Sequence, residues 1–251
     1  MAFLVATPTQ SLVCDSLPTQ YAGGSPLSRP RCLLHWDALF TRAIDLKLRP
    51  LSESSYVHPA DSRLISISPI HPKFQLTAKQ VDYTLDRLAP LLPKPSSYLN
   101  GRALLYYLCP TDYHRVHSPV SGQAREIIYV PGSLWPVNDW SQNHMKGLFY
   151  KNERLILPLE TPFGPVAVIM VGATNVGQMS LCFEPSFKNW AKKQKHLETF
   201  KLTSPIHLEK GDELGTFHLG STVIVLLSEE FIRHNPQVST LTPQSVRVRS
   251  F

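Results

Sequence analysis

After Leu51 the apolar residues fall into short runs rich in Val, Ile, Leu and Tyr, each closed within a few positions by Pro or Gly. Proline removes a backbone donor and glycine loosens the chain, so punctuation at this spacing suits strands and leaves little room for long helices. The strand signature is carried by 64–68, 103–108, 126–130, 155–159, 166–172, 176–181 and 221–227. One helical interruption is expected over 77–88, stopped by Pro90. The fold predicted is α+β: mainly an antiparallel β-sandwich or open barrel core with peripheral helices.

The first 50 residues read differently. Residues 1–30 carry Ser, Thr, Pro and Gly without a sustained period, the texture of a poorly ordered arm. Over 33–46, Leu33, Leu34, Trp36, Leu39, Phe40, Ala43, Ile44 and Leu46 recur at helical spacing, which predicts an amphipathic helix. It can pack on the core or lay its aromatic face on lipid. The expected organisation is therefore an N-terminal arm and helix over 1–50 and one domain over 51–251.

Composition narrows the setting. With 43% hydrophobic and 18% charged residues the chain is globular rather than disordered. No run approaches the ~20 apolar residues of a spanning helix, and no basic region precedes the apolar N-terminus, so no secretory signal is expected. Cys14, Cys32, Cys109 and Cys182 follow neither metal-ligand nor disulfide-scaffold spacing, which points to a reducing compartment. A net charge of +6 favours an anionic partner, nucleic acid or an acidic lipid surface.

Two places carry chemistry. His114 and His117 stand three apart in Asp112-Tyr113-His114-Arg115-Val116-His117, where the chain leaves a strand. Imidazoles at short spacing are common in zinc sites, but no third ligand follows at a fitting distance, so no metal is expected. The second place is Leu219-Gly220-Ser221-Thr222, between the turn Glu209-Lys210-Gly211-Asp212 and an apolar run. A serine hydroxyl can attack the carbonyl of the residue before it, and Gly220 has no side chain to obstruct the approach. By itself a Gly-Ser pair is an ordinary strand irregularity.

Together these segments resemble the phosphatidylserine decarboxylase family. Lys210-Gly211-Asp212-Glu213-Leu214-Gly215 leading into Leu219-Gly220-Ser221-Thr222 looks like its self-cleavage segment, and the Asp-Tyr-His-Arg-Val-His stretch like its most specific motif. Pro59-Ala60-Asp61-Ser62, Ile127-Ile128-Tyr129-Val130-Pro131-Gly132, Asn152-Glu153-Arg154, Phe163-Gly164-Pro165 and Val171-Gly172-Ala173-Thr174-Asn175 agree in the family's order, with Ser62 and Gln80 standing where the family commonly has glycine. The resemblance implies cleavage between Gly220 and Ser221 into a β chain, 1–220, and an α chain, 221–251, that stay together as a heterodimer. An amide-to-ester shift, elimination and loss of ammonia would leave Ser221 as a pyruvoyl group, the pyruvate cofactor. That ketone can form a Schiff base with a substrate amine and draw electrons from the carboxylate that leaves.

Carried over residue by residue, the resemblance makes Asp61, His117 and Ser221 a protease-type triad used once. His117 would take the Ser221 proton and Asp61 would hold the imidazole. His114 would serve the later decarboxylation, and Tyr107 is similar to a tyrosine lining the family's active site. The implied reaction turns phosphatidylserine into phosphatidylethanolamine and carbon dioxide; a free amino acid substrate and an unprocessed lipid-binding relative are the alternatives. The implied place is the cytoplasmic side of the cell membrane, peripherally bound to its anionic surface, with no nucleic acid partner. Over 183–200, Lys188, Lys192, Lys193, Lys195 and His196 interleave with Phe183, Phe187, Trp190 and Phe200, which suits either such a surface or a solvated loop.

Overall fold

The computed structural model describes residues 38, 40–71, 75–78, 81–137, 141, 144–145, 147–173, 179–187, 191, 194–218 and 221–251. Its strands are β1 (Ser62–Pro69), β2 (Gln75–Ala78), β3 (Val81–Thr84), β4 (Arg102–Leu108), β5 (Arg115–His117), β6 (Gly122–Val130), β7 (Arg154–Leu159), β8 (Val166–Gly172), β9 (Met179–Leu181), β10 (Glu198–Leu208), β11 (Glu213–Phe217), β12 (Ser221–Leu227) and β13 (Gln244–Val246). Short helices α1 (Leu85–Leu88), α2 (Leu148–Lys151) and α3 (Glu229–His234) lie between them.

An eight-stranded sheet runs β10-β6-β7-β8-β12-β4-β1-β13, and a smaller one runs β5-β11-β9. Their strand pairs are antiparallel. The fold is thus α+β, with the β core and peripheral helices that the sequence predicts. Every residue of β8 and β12 is buried. Both strands read Val, Ile, Leu and Met almost without interruption, as strands covered on both faces do. In β10 the pairing skips from Lys201↔Glu126 to Ile206↔Ala124. Pro205 in that gap cannot donate to a ladder, and an edge strand tolerates this.

Three expectations need correcting. Over 77–88 the chain makes the β2–β3 hairpin, pairing Gln75↔Thr84 and Ala78↔Val81, and becomes helical only at Leu85. Thr77, Val81, Tyr83 and Thr84 favour the pleated surface, and this preference outweighs an apolar spacing compatible with helix. The second concerns 33–46, much of which lies outside the described residues. Ala38 and Phe40 are helical, 42–45 are not, and Leu46–Leu48 form a single 3-10 turn capped by Asp45. Arg115 holds the Thr41 carbonyl through Nε and Nη2 at 3.1 and 2.8 Å, taking an acceptor that a continuing helix would use. Third, the edge strand β10 was absent from the expected set because its side chains are mostly exposed and polar.

Candidate active site

Ser221 opens β12 at the centre of the large sheet, opposite Leu108 of β4 on one side and Gly172 of β8 on the other. A Cβ at Gly172 would stand 3.2 Å from Leu134 Cδ2 and 3.4 Å from the Glu153 carbonyl, so this position has little room for a side chain. Asn152, fully buried, fixes the spot: its Nδ2 donates to the carbonyls of Gly172 and Trp135, and its Oδ1 accepts the Trp135 N–H. Asn152 belongs to a motif quoted from the sequence, but nothing in the sequence says what its amide holds.

The chain reaches Ser221 from β11, passing from the small sheet to the large one. The end of β11 is tied to the histidine segment by the Phe217 N–H, which donates to the His114 carbonyl at 3.0 Å. His114 Nδ1 then meets Ser221 Oγ at 3.1 Å, with both residues fully buried. Burial lowers the His114 pKa to about 4, the positive charge of Arg42 acting in the same direction. The imidazole is therefore neutral at pH 7. Among the described residues its Nε2 has no hydrogen-bond partner, while the Pro110 and Cys109 carbonyls oppose the effect of burial.

His117 sits at the other end of the same short ladder, where β5 pairs with the start of β11 at Glu213. Residues three apart on an extended segment face opposite ways and span about 10 Å. Accordingly His117 bonds elsewhere: Nδ1 to the Gly211 carbonyl at 2.8 Å and Nε2 to the Tyr113 hydroxyl at 3.0 Å. A carbonyl can only accept, so Nδ1 carries the proton, and a neutral His117 keeps its lone pair on Nε2. Burial lowers its pKa, opposed by the Gly211 carbonyl and the charges of Glu213 and Asp61.

Asp61 is likewise engaged away from the imidazole. Its Oδ1 accepts Arg49 Nε at 3.1 Å and the Val248 N–H at 2.8 Å, and its Oδ2 accepts Arg49 Nη2 at 2.7 Å. The structure thus brings His114, but neither His117 nor Asp61, into contact with Ser221. Tyr107 pairs with Thr222, so strand alternation puts it on the face opposite Ser221, where Arg63 lies 5.9 Å from its ring centre. Tyr106 shares the face of Ser221 instead, and its hydroxyl bonds Tyr56 at 2.6 Å and His58 Nδ1 at 3.1 Å. Period-2 alternation could have found this, given the register.

A neutral imidazole thus meets a buried serine hydroxyl just after a glycine, placing a ring that can take up or return a proton at Ser221. The family described as phosphatidylserine decarboxylase matches residues 36–249, spanning every segment of this arrangement. The chain belongs to the phosphatidylserine decarboxylase family. Relatives agree: a phosphatidylserine decarboxylase proenzyme of Alcanivorax borkumensis is 41% identical over 219 residues, 85% of this chain and 74% of the relative. One from Pseudomonas putida (strain GB-1) is 38% identical over 212 residues, covering 79% of this chain and 71% of the relative. One from a Shewanella species is 34% identical over 210 residues, 82% and 73% of the two chains. Residues 1–35 precede the family match.

Proposed function

We propose that this family member decarboxylates phosphatidylserine to phosphatidylethanolamine, using a pyruvoyl group made from its own Ser221. The observation that carries the reading is the 3.1 Å contact between His114 Nδ1 and Ser221 Oγ, buried where β11 passes into β12. The residues fit such a group: the serine is held from both sides by its ladder partners Leu108 and Gly172, with the His114 imidazole against its hydroxyl. Once formed, the group supplies the electron sink for loss of carbon dioxide.

His114 has its neutral ring beside position 221, where after conversion of Ser221 it can hold and return the proton that replaces the lost carboxylate. His117 has the tautomer of a base, with Nε2 available once the Tyr113 hydroxyl leaves it, and is assigned to the cleavage step. Asp61 acts on it through charge, since the carboxylate itself is held by Arg49. In the decarboxylase domain, 51–251, β12 has a hydrogen-bonded neighbour on each side, which would retain the 221–251 chain after scission.

Intact mass of fresh protein tests the chemistry: two chains, 1–220 and 221–251, the second blocked by pyruvoyl, are expected, and Ser221→Ala should stay whole. Wild-type protein that remains one chain and still decarboxylates would overturn the reading. Activity on the lipid compared with free serine decides the substrate class.

Peripheral attachment to an anionic membrane is part of the same proposal. No helix among the described residues is long and apolar enough to cross a bilayer. Leu46, Leu48 and Leu51 are exposed at about two-fifths of their surface, with Lys47 exposed among them. In the basic-aromatic stretch, by contrast, Phe187 packs edge-on against Phe200 inside the protein, leaving Lys195 and His196 exposed; Lys188, Trp190, Lys192 and Lys193 lie outside the described residues. Binding to anionic vesicles should weaken as salt rises, because exposed charges are screened over roughly 8 Å at physiological ionic strength. Salt-independent binding, equal on neutral vesicles, would exclude an electrostatic attachment.

A further inference from the structure

The segment just before the 3-10 turn lies against the reacting end of β5. Phe40 stacks on the His114 imidazole with ring centres 4.6 Å apart and planes inclined by 35°. Both side chains are buried, yet Phe40 stands outside the main hydrophobic core. An aromatic side chain carries a large apolar payload and is normally spent on the core; here its cover goes to a histidine that touches Ser221. The next two residues fasten the segment in place. Arg115 holds the Thr41 carbonyl with two hydrogen bonds, and Arg42 Nη2 donates to the Thr111 carbonyl at 2.9 Å. Thr111 and Arg115 flank His114 in sequence, so the segment is pinned on both sides of the ring it covers.

We propose that Phe40 is a positioning residue for the decarboxylation, holding the His114 imidazole beside position 221, before and after that residue is converted, and keeping water from it. The assignment rests on the reading of His114 as the group that works at Ser221. Phe40 acts on the imidazole by excluding solvent, and a solvent-excluded imidazole resists protonation, in line with the low His114 pKa. Among the described residues, Arg42 is the charged side chain that acts on this ring. The nearby acids are committed elsewhere: Asp112 accepts the Cys109 N–H, and Glu213 pairs with Arg115. Among the described residues the ring's Nε2 is buried without a hydrogen-bond partner, so apolar cover rather than a polar contact holds that side of the imidazole.

The experiment follows His114 by histidine NMR titration in the full-length protein, assigned with His114→Gln, alongside the pH dependence of kcat and KM on phosphatidylserine. In Phe40→Ala the His114 titration should rise from about 4 toward the ordinary 6.5. The acid limb of kcat should move with it while KM changes little. Phe40→Leu, which restores apolar cover, should return both toward wild type. Because Phe40 is outside the main core, the alanine variant should fold; if it does not, Phe40→Gln, which keeps most of the volume but is polar, carries the test and should shift the titration upward. An unshifted titration in the folded Ala or Gln variant, or a Leu variant no closer to wild type than Ala, overturns the role of Phe40. Wild-type protein inactive on phosphatidylserine would instead reject the reading of the site.

Discussion

Two histidines three residues apart end up with different partners because the extended segment between them turns their side chains to opposite sides. His114 is at the β12 end of the β5–β11 ladder with its Nδ1 on Ser221, and His117 is at the Gly211 end with its Nδ1 proton on a carbonyl. His117→Ala should accumulate as the uncut precursor. His114→Ala should process and then turn over substrate slowly, by the ~10²–10⁴-fold that a positioned acid or base typically contributes. A gel and an activity assay on the same two proteins decide it. The contact seen at Ser221 makes the reverse outcome informative: if His114→Ala stays uncut while His117→Ala processes normally, His114 is the base for cleavage as well.

At the scale of elements, the site depends on how tightly the small sheet is packed. Gly215 lies in β11, the middle strand, opposite Val116 of β5 and Leu181 of β9. A Cβ there would fall 2.3 Å from the Ser180 carbonyl oxygen, which as backbone in a ladder cannot swing aside. Gly215→Ala must therefore separate β9 from β11, and overpacking of this kind costs roughly 1–3 kcal/mol. Because the same strand ends in the Phe217 N–H bond to His114, processing should slow along with the loss of stability. Thermal unfolding and the processed fraction over time measure the two effects, and a variant with wild-type values in both would show that the ladder adapts. At Arg154 packing takes another form: the buried guanidinium donates to the carbonyls of Arg87, Leu88, Tyr150 and Asn152, at the ends of α1 and α2. Cations are favoured at helix C-termini, so one side chain ties both short helices to β7.

For the whole molecule, two buried histidines couple stability to pH. His58 and His114 both have pKa values lowered by burial to about 4, whereas the unfolded chain takes up these protons near 6.5. Between those values the unfolded state binds more protons, so stability present above pH 6.5 is lost as pH falls toward 4, by up to roughly 3 kcal/mol per histidine. The unfolding temperature should drop between pH 7 and 4.5, and less steeply in His58→Gln; an equal drop in both proteins would remove His58 from the account. The family and the antiparallel β class were both legible in the sequence, because short punctuated apolar runs and fixed motif spacings are local properties of a chain. The seating of Ser221 was not. Which histidine meets Ser221, which face Tyr107 takes and which partner claims Asp61 depend on strand register and on segments far apart in sequence: Arg49, Asp61 and Val248 meet only when the N-terminal segment, β1 and the C-terminus are packed together. A motif sets which chemical groups are present, while tertiary register sets the ångströms between them, and hydrogen bonding and proton transfer respond to those distances.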